Sequence, residues 1–224
     1  MNSLENRVIA IKKALEIAAA PNYPAPLLIA VTKTVPPEII NNLINTGVCN
    51  IGENRVQEIL EKYPLLDTNF RIHLIGRLQT NKVKYIIDKV CMIHSLDRIA
   101  LALEIHKQAL RKNTRMPVLI QVNIAGEEQK AGIAPQELRN FLVKCAELSG
   151  IAVKGIMAMM PLNADSELLK TFFNEMRKLF EELRQNPVQG ISMDELSMGM
   201  SQDYTIAAHE GATMVRIGSA LFQH

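Results

Sequence analysis

Apolar residues along this chain alternate between short unbroken runs and longer stretches with a period near that of a helix. The first periodic stretch, 3–20, carries Leu4, Val8, Ile11, Leu15, Ala18 and Ala19, with Ile9 and Ile17 widening the stripe. Ser3 is placed to cap it and Pro21 to stop it. After a loop through Asn22, the run Leu-Leu-Ile-Ala-Val-Thr at 27–32 has no polar alternation and ends on Lys33. Such a run predicts a strand covered on both faces, stopped by Pro36 and Pro37, the second of which can open a helix.

The same alternation repeats to the end of the chain. A helix over 38–46 closes on Gly47, and a strand over 48–51 leads to a helix with Val56, Ile59 and Leu60 on one side. A strand over 70–75 precedes a helix over 80–89. A strand over 90–94 precedes a long helix through Ile99, Leu103, Ile105 and Leu110, capped by Ser95 or Asp97. The run 117–124 alternates Val118, Ile120, Val122 and Ile124 around Leu119 and Gln121, and a loop holding Gly126, Glu127, Glu128, Gln129, Lys130 and Gly132 follows. A helix over 135–148, a strand over 151–157 and a helix over 165–183 with Leu168, Phe172, Met176, Leu179 and Phe180 on one face come next. Strand 195–197, helix 202–209, strand 214–217 and a helical turn at 219–222 finish the chain.

Eight strands, each followed by helix, after one extra N-terminal helix, permit a doubly wound sheet or an eight-fold barrel. No Gly-x-Gly-x-x-Gly turn follows the first strand, and the count of eight favours the barrel. We therefore expect a single-domain (β/α)8 TIM barrel spanning 1–224.

Composition narrows the function. At 48% hydrophobic and 21% charged, with net charge +2, the chain gives no reason to invoke nucleic acid or a membrane surface. There is no Trp, with four Tyr and six Phe, which disfavours a base-stacking platform. Cys49, Cys91 and Cys145 form no Cys-x-x-Cys pair; they read as buried apolar residues of a cytoplasmic protein, with no metal site and no disulfide framework.

In a barrel, ligands bind at the C-terminal ends of the strands, and a phosphate often sits on the last two loops. Lys33 falls at the tip of the first strand, either as a lysine reaching out to solvent or as a ligand group. The seventh strand ends in Ser197-Met198-Gly199-Met200-Ser201 and the eighth in Arg216-Ile217-Gly218-Ser219. Each offers a glycine turn, a hydroxyl and a following helix whose free N–H groups suit an anion. Arg216 faces either a carboxylate across the rim or a ligand. An amine, a guanidinium and a phosphate nest fit pyridoxal phosphate, with its aldehyde, ring nitrogen and phosphate. A phosphosugar aldolase would need a similar lysine and nest without the arginine.

Ala30-Val31-Thr32-Lys33, Gly52-Glu53-Asn54 with Gln57-Glu58, the segment from His73 to Lys82, and the two terminal segments just quoted resemble, in this order, the pyridoxal phosphate homeostasis proteins. Those are single-domain relatives of the alanine racemase N-terminal barrel. Ile72 departs from the tryptophan common there, and Gln223-His224 from the glycine that commonly follows the phenylalanine. The resemblance implies Lys33 as the lysine forming an aldimine with pyridoxal 5'-phosphate and Arg216 as partner of the ring nitrogen. It further implies that Ser197, Ser201, Gly218 and Ser219 hold the phosphate, with Met198, Gly199 and Asn54 lining the site.

An arginine on the ring nitrogen leaves it unprotonated and weakens the ring as an electron sink, which disfavours transamination. Racemisation needs an acid or base on each face of the substrate, and His73 is the one candidate. His73 reads equally as a structural histidine within a strand, and Asp203 and Tyr204 as part of the helix after the seventh strand. The expectation is a monomeric cytoplasmic carrier of pyridoxal phosphate with no catalytic residue, acting on cellular amino-acid and keto-acid balance and supplying cofactor-dependent apoenzymes. The alternative is a racemase of low or unfamiliar activity.

Overall fold

The structure, a computed structural model, describes residues 3–21, 23–127, 129, 131–161 and 164–222. Asn22, Glu128 and Lys130, which the sequence assigns to loops, and the terminal Gln223-His224 lie outside the described residues. Eight parallel strands close into a barrel in chain order: β1 (Leu27–Val31), β2 (Asn50–Glu53), β3 (Arg71–Leu74), β4 (Met92–Leu96), β5 (Met116–Val122), β6 (Ile151–Ala158), β7 (Glu195–Ser197) and β8 (Met214–Ile217). Strand β8 pairs back onto β1, with Ile29 beside Arg216 and Ala30 beside Ile217. The helices are α1 (Leu4–Ala18), α2 (Pro37–Asn41), α3 (Val56–Lys62), α4 (Ile99–Arg111), α5 (Pro135–Ala146), α6 (Ser166–Gln185), α7 (Tyr204–His209) and α8 (Ser219–Phe222).

Two of the helix starts follow from their caps. Ser3 accepts from the Asn6 N–H and Asp165 from the Leu168 N–H, each filling a donor left free by the first turn. Helix α1 is fastened across the strand ends by Arg7, which donates to the Leu221 carbonyl, and by Lys12, which donates to that of Thr46.

Some expectations need correction. The segment after β3 is a 3-10 helix over Thr80–Tyr85 in place of the expected helix over 80–89, with Val83 its buried side chain. The helix expected over 38–46 divides into α2 and a 3-10 turn at Ile44–Thr46. Helix α4 starts at Ile99 with no side-chain cap: Ser95 lies in β4 and donates to the Gly76 carbonyl, and Asp97 pairs with Arg98. Ile9, Ile17, Leu103, Leu110 and Leu168 are exposed, so the stripes of α1, α4 and α6 are narrower than the sequence suggests. Of the cysteines only Cys145 is buried; Cys49 and Cys91 are half-buried.

The strands separate two apolar regions by their period of two. Leu28, Ala30, Ile72, Leu74, Ile93, Val118, Ile120, Ile156, Leu196, Met198, Val215 and Ile217 belong to the large core that includes the helices. Ile29, Met92, Leu119, Met157 and Met214 form a separate cluster, the plug of the barrel interior. Arg216 has the parity of Met214, His94 that of Met92, and Gln121 that of Leu119, so the interior above the plug is polar. That change of character along the axis places the site.

Candidate functional site

A cavity of about 1350 Å³ opens at the C-terminal ends of the strands. Val31, Asn54, Ile75, Val122, Met159, Met200 and Gly218 line it from seven different strand ends or the residues just beyond. Lys33, Ser201, Asp203, Arg216 and Ser219 share the same wall. Of the site residues expected from sequence, Lys33, Asn54, Ser201, Arg216, Gly218 and Ser219 are thus brought together.

Lys33 lies two residues past β1, exposed, in a turn whose next residue, Thr34, has φ 62°. A β-branched residue in the left-handed region is a strained conformation that its surroundings must hold. The Thr34 hydroxyl donates to the Lys33 carbonyl, and the Thr34 N–H donates to Glu58 Oε2 at 3.2 Å.

Arg216 rises from the barrel interior, 4% exposed. Its Nη1 donates to Ser197 Oγ at 2.6 Å and its Nη2 to the Ala158 carbonyl at 2.9 Å. Burial draws the guanidinium down to about 10, with the nearby Asp203 carboxylate opposing, and it stays a cation at neutral pH. Asp203 is itself buried, which pushes its carboxyl up, while the Met200 N–H and Arg216 pull the other way. Sequence reasoning gave Asp203 no role. Its position three residues after Met200, at the head of α7, is the signal that was available.

Ser197, Met198 and Gly199 are placed otherwise than their motif suggests. Ser197 is fully buried beneath Arg216 and is not part of the cavity wall. Met198, one residue on, faces the opposite side of the sheet and packs in the outer core. Gly199 turns the chain into α7 at φ 92°, where a Cβ would lie 2.5 Å from that of Ala207. Ser201 and Gly218 both line the cavity. The Ser201 hydroxyl oxygen accepts from the N–H groups of Gly218 at 3.1 Å and Ala220 at 3.3 Å, leaving its own proton to donate. Gly218 lets β8 run close to β1: a Cβ there would sit 3.2 Å from that of Val31.

Below Arg216 runs a column of buried polar groups. Ser197 Oγ lies 3.1 Å from His94 Nδ1, His94 Nε2 lies 2.9 Å from His73 Nδ1, and His73 Nε2 lies 3.0 Å from Asn50 Oδ1. The two rings meet edge to face with centroids 5.1 Å apart. Burial, with the Arg71 cation adding, holds His73 down to about 4. Burial, then His73 and Arg216, hold His94 well below the usual imidazole value. His73 is therefore a structural member of the barrel axis, and neither histidine reaches the cavity wall.

Comparison with known proteins places this geometry. Residues 15–224 match the family model of the alanine racemase N-terminal domain. The pyridoxal phosphate homeostasis protein of Aquifex aeolicus is 46% identical over 226 residues, covering 99% of this chain and 98% of that one. The chain belongs to the pyridoxal phosphate homeostasis protein family. The relative of the same name from Pasteurella multocida is 35% identical over 95% of this chain and 91% of its own. Among solved structures, PipY of Synechococcus elongatus with pyridoxal phosphate bound superposes with a TM-score of 0.87 at 31% identity, covering 98% of this chain and all of that one. An alanine racemase of Clostridium difficile shares the fold, at TM-score 0.79 and 17% identity, and the match covers 60% of its length.

Proposed function

We propose that this family member binds pyridoxal 5'-phosphate in the cavity, with Lys33 holding it covalently, and carries or buffers the cofactor without turning over a substrate. The observation that carries the reading is that the exposed Lys33 side chain and the buried Arg216 cation open on one cavity that Ser201, Gly218 and Ser219 also line. When bound, the cofactor supplies an electrophilic aldehyde carbon and an electron-accepting ring. Lys33 would hold that carbon through its Nζ, water being the group lost. Arg216 is held by Ser197 and Ala158 in a fixed orientation and donates toward the ring nitrogen. Ser201 and Ser219 would offer hydroxyl hydrogen bonds to the phosphate, Gly218 would leave room for it, and Asn54 would line the same cavity.

Three features support the non-catalytic reading. Among the described lining residues there is no His, Cys, Tyr or Glu. The single carboxylate, Asp203, is engaged with the Met200 N–H. His73, the proton-transfer candidate on sequence grounds, is bound between Asn50 and His94 inside the barrel. We further propose that the protein acts as a cytoplasmic monomer that releases cofactor to dependent apoenzymes and so affects amino-acid and keto-acid balance.

Borohydride reduction of the cofactor-loaded protein, followed by peptide mapping, tests the central assignment. A pyridoxyl group on Lys33 is expected, and one found elsewhere overturns it. Incubation with a panel of L- and D-amino acids tests the rest: sustained cofactor-dependent turnover would make the protein an enzyme of the racemase type.

A further inference from the structure

Behind Lys33, on the side away from the cavity, α3 and the end of β2 bring together Lys62, Glu53 and Glu58. Lys62 is 9% exposed and Glu53 1%. An ammonium group has three donors and no acceptor. Lys62 Nζ lies 2.8 Å from the Thr32 carbonyl, 2.8 Å from Glu53 Oε1 and 3.4 Å from Glu58 Oε2, so all three are directed. The partners are the groups that flank Lys33. Thr32 is held twice, since its hydroxyl also donates to Glu53 Oε1 at 2.6 Å. Thr34 is held through its N–H by Glu58. The chain is thus tied to one cluster immediately before and immediately after Lys33, across a residue in a left-handed conformation that Thr adopts only under constraint.

A surface turn that only linked β1 to α2 would have no need of a buried cation and two carboxylates. Asn or Gly at position 34 would take φ 62° without strain. Nor does the cluster serve the cavity directly, since none of Glu53, Glu58 and Lys62 lines it. We propose that Lys62 is a positioning residue for Lys33: with Glu53 and Glu58 it holds the 32–34 turn in the conformation that presents the Lys33 amine to the cavity. The inference rests on the role given to Lys33 above, but its first measurement does not.

In cofactor-free protein, hydrogen exchange at the Thr34 amide should be at least tenfold faster in Lys62→Met than in the parent chain. The second-order rate of covalent attachment of pyridoxal phosphate, followed by absorbance with the variant folded by circular dichroism, should fall roughly tenfold or more as the competent turn becomes a minor state. Adding Thr34→Gly to Lys62→Met should restore most of the attachment rate, because glycine reaches the same φ unaided. It should not restore the melting temperature lost with the buried ion pair. Should Lys62→Met fail to fold, Glu58→Ala removes the acceptor of the Thr34 N–H from a more exposed position and should show the same faster exchange. Unchanged exchange and attachment in Lys62→Met, or a slow Lys62→Met that Thr34→Gly leaves slow, overturns the proposal. Failure of the parent chain to attach cofactor at Lys33 would overturn the role of Lys33 instead, with the exchange measurement still deciding on the clamp.

Discussion

Replacing Ser197 by alanine distinguishes a hydroxyl that holds a ligand from one that holds Arg216. In the structure this hydroxyl is fully buried, accepts from Arg216 Nη1 at 2.6 Å and lies 3.1 Å from His94 Nδ1. Alanine removes one hydrogen bond to a charged group, about 1.5–3 kcal/mol, and one between neutral groups, about 0.5–1.5 kcal/mol. The sum is roughly 2–4.5 kcal/mol, all of it present before any ligand binds. For a chain of this size that is a fall in melting temperature of roughly 4–18 °C, at about 2–4 °C per kcal/mol. The chain has no Trp, so urea unfolding of cofactor-free protein is best followed by far-ultraviolet circular dichroism, comparing midpoints at equal slope. We expect the variant to lose stability without cofactor, and to bind cofactor more weakly only as far as Arg216 is less well oriented. A cofactor-free variant within about 0.5 kcal/mol of the parent, coupled to a large loss of cofactor affinity, would refute the reasoning and return Ser197 to the phosphate.

Acid should destabilise the cofactor-free protein through the buried histidines. A folded-state value near 4 for His73 against 6.5 unfolded means that the unfolded chain binds more protons below neutrality, so stability falls as pH drops from about 6.5 through 4. His73 alone accounts for roughly 2 kcal/mol between pH 7 and 5, His94 adds in the same direction, and a flat urea midpoint over that range would contradict it. Gly199→Ala should destabilise by roughly 2 kcal/mol or more, since it combines φ 92° with a clash against Ala207, and calorimetry would show it. Lys33→Ala should abolish the covalent cofactor absorbance while shifting the melting temperature by about 2 °C or less, because the side chain is exposed.

The barrel was legible because most strands announce themselves locally, by an apolar run with Pro or Gly nearby, and because α1 and α6 carry their own caps in Ser3 and Asp165. β8 and the short α8 occur at the residues the pattern marks. Amphipathic width was less legible: Leu103 and Leu110 have the right spacing, but no neighbouring element covers them. In β5 Leu119 fills the barrel and Val118 and Ile120 the outer core, so both faces are apolar. The site was readable where a residue's chemistry is unusual for its place, as with Lys33 and Arg216. It was unreadable where a residue acts through a partner far away in sequence: His94 meets Ser197 across 103 residues, and Lys62 meets Thr32 across 30. The Ser197-Met198-Gly199 motif misleads for a related reason. A motif is read as a block, but the strand divides it between inside and outside.

The column beneath Arg216 has a direction. A guanidinium donates and never accepts, and the Asn50 oxygen at the other end accepts and never donates, so with both imidazoles neutral the Ser197 proton goes on to His94 Nδ1. His94 then carries its own proton on Nε2 and gives it to His73 Nδ1, and His73 carries its proton on Nε2 facing the Asn50 oxygen. Every bond in the series then points from the cavity toward the N-terminal end of the strands. The buried polar column therefore anchors Arg216 as a fixed donor at the floor of the cavity.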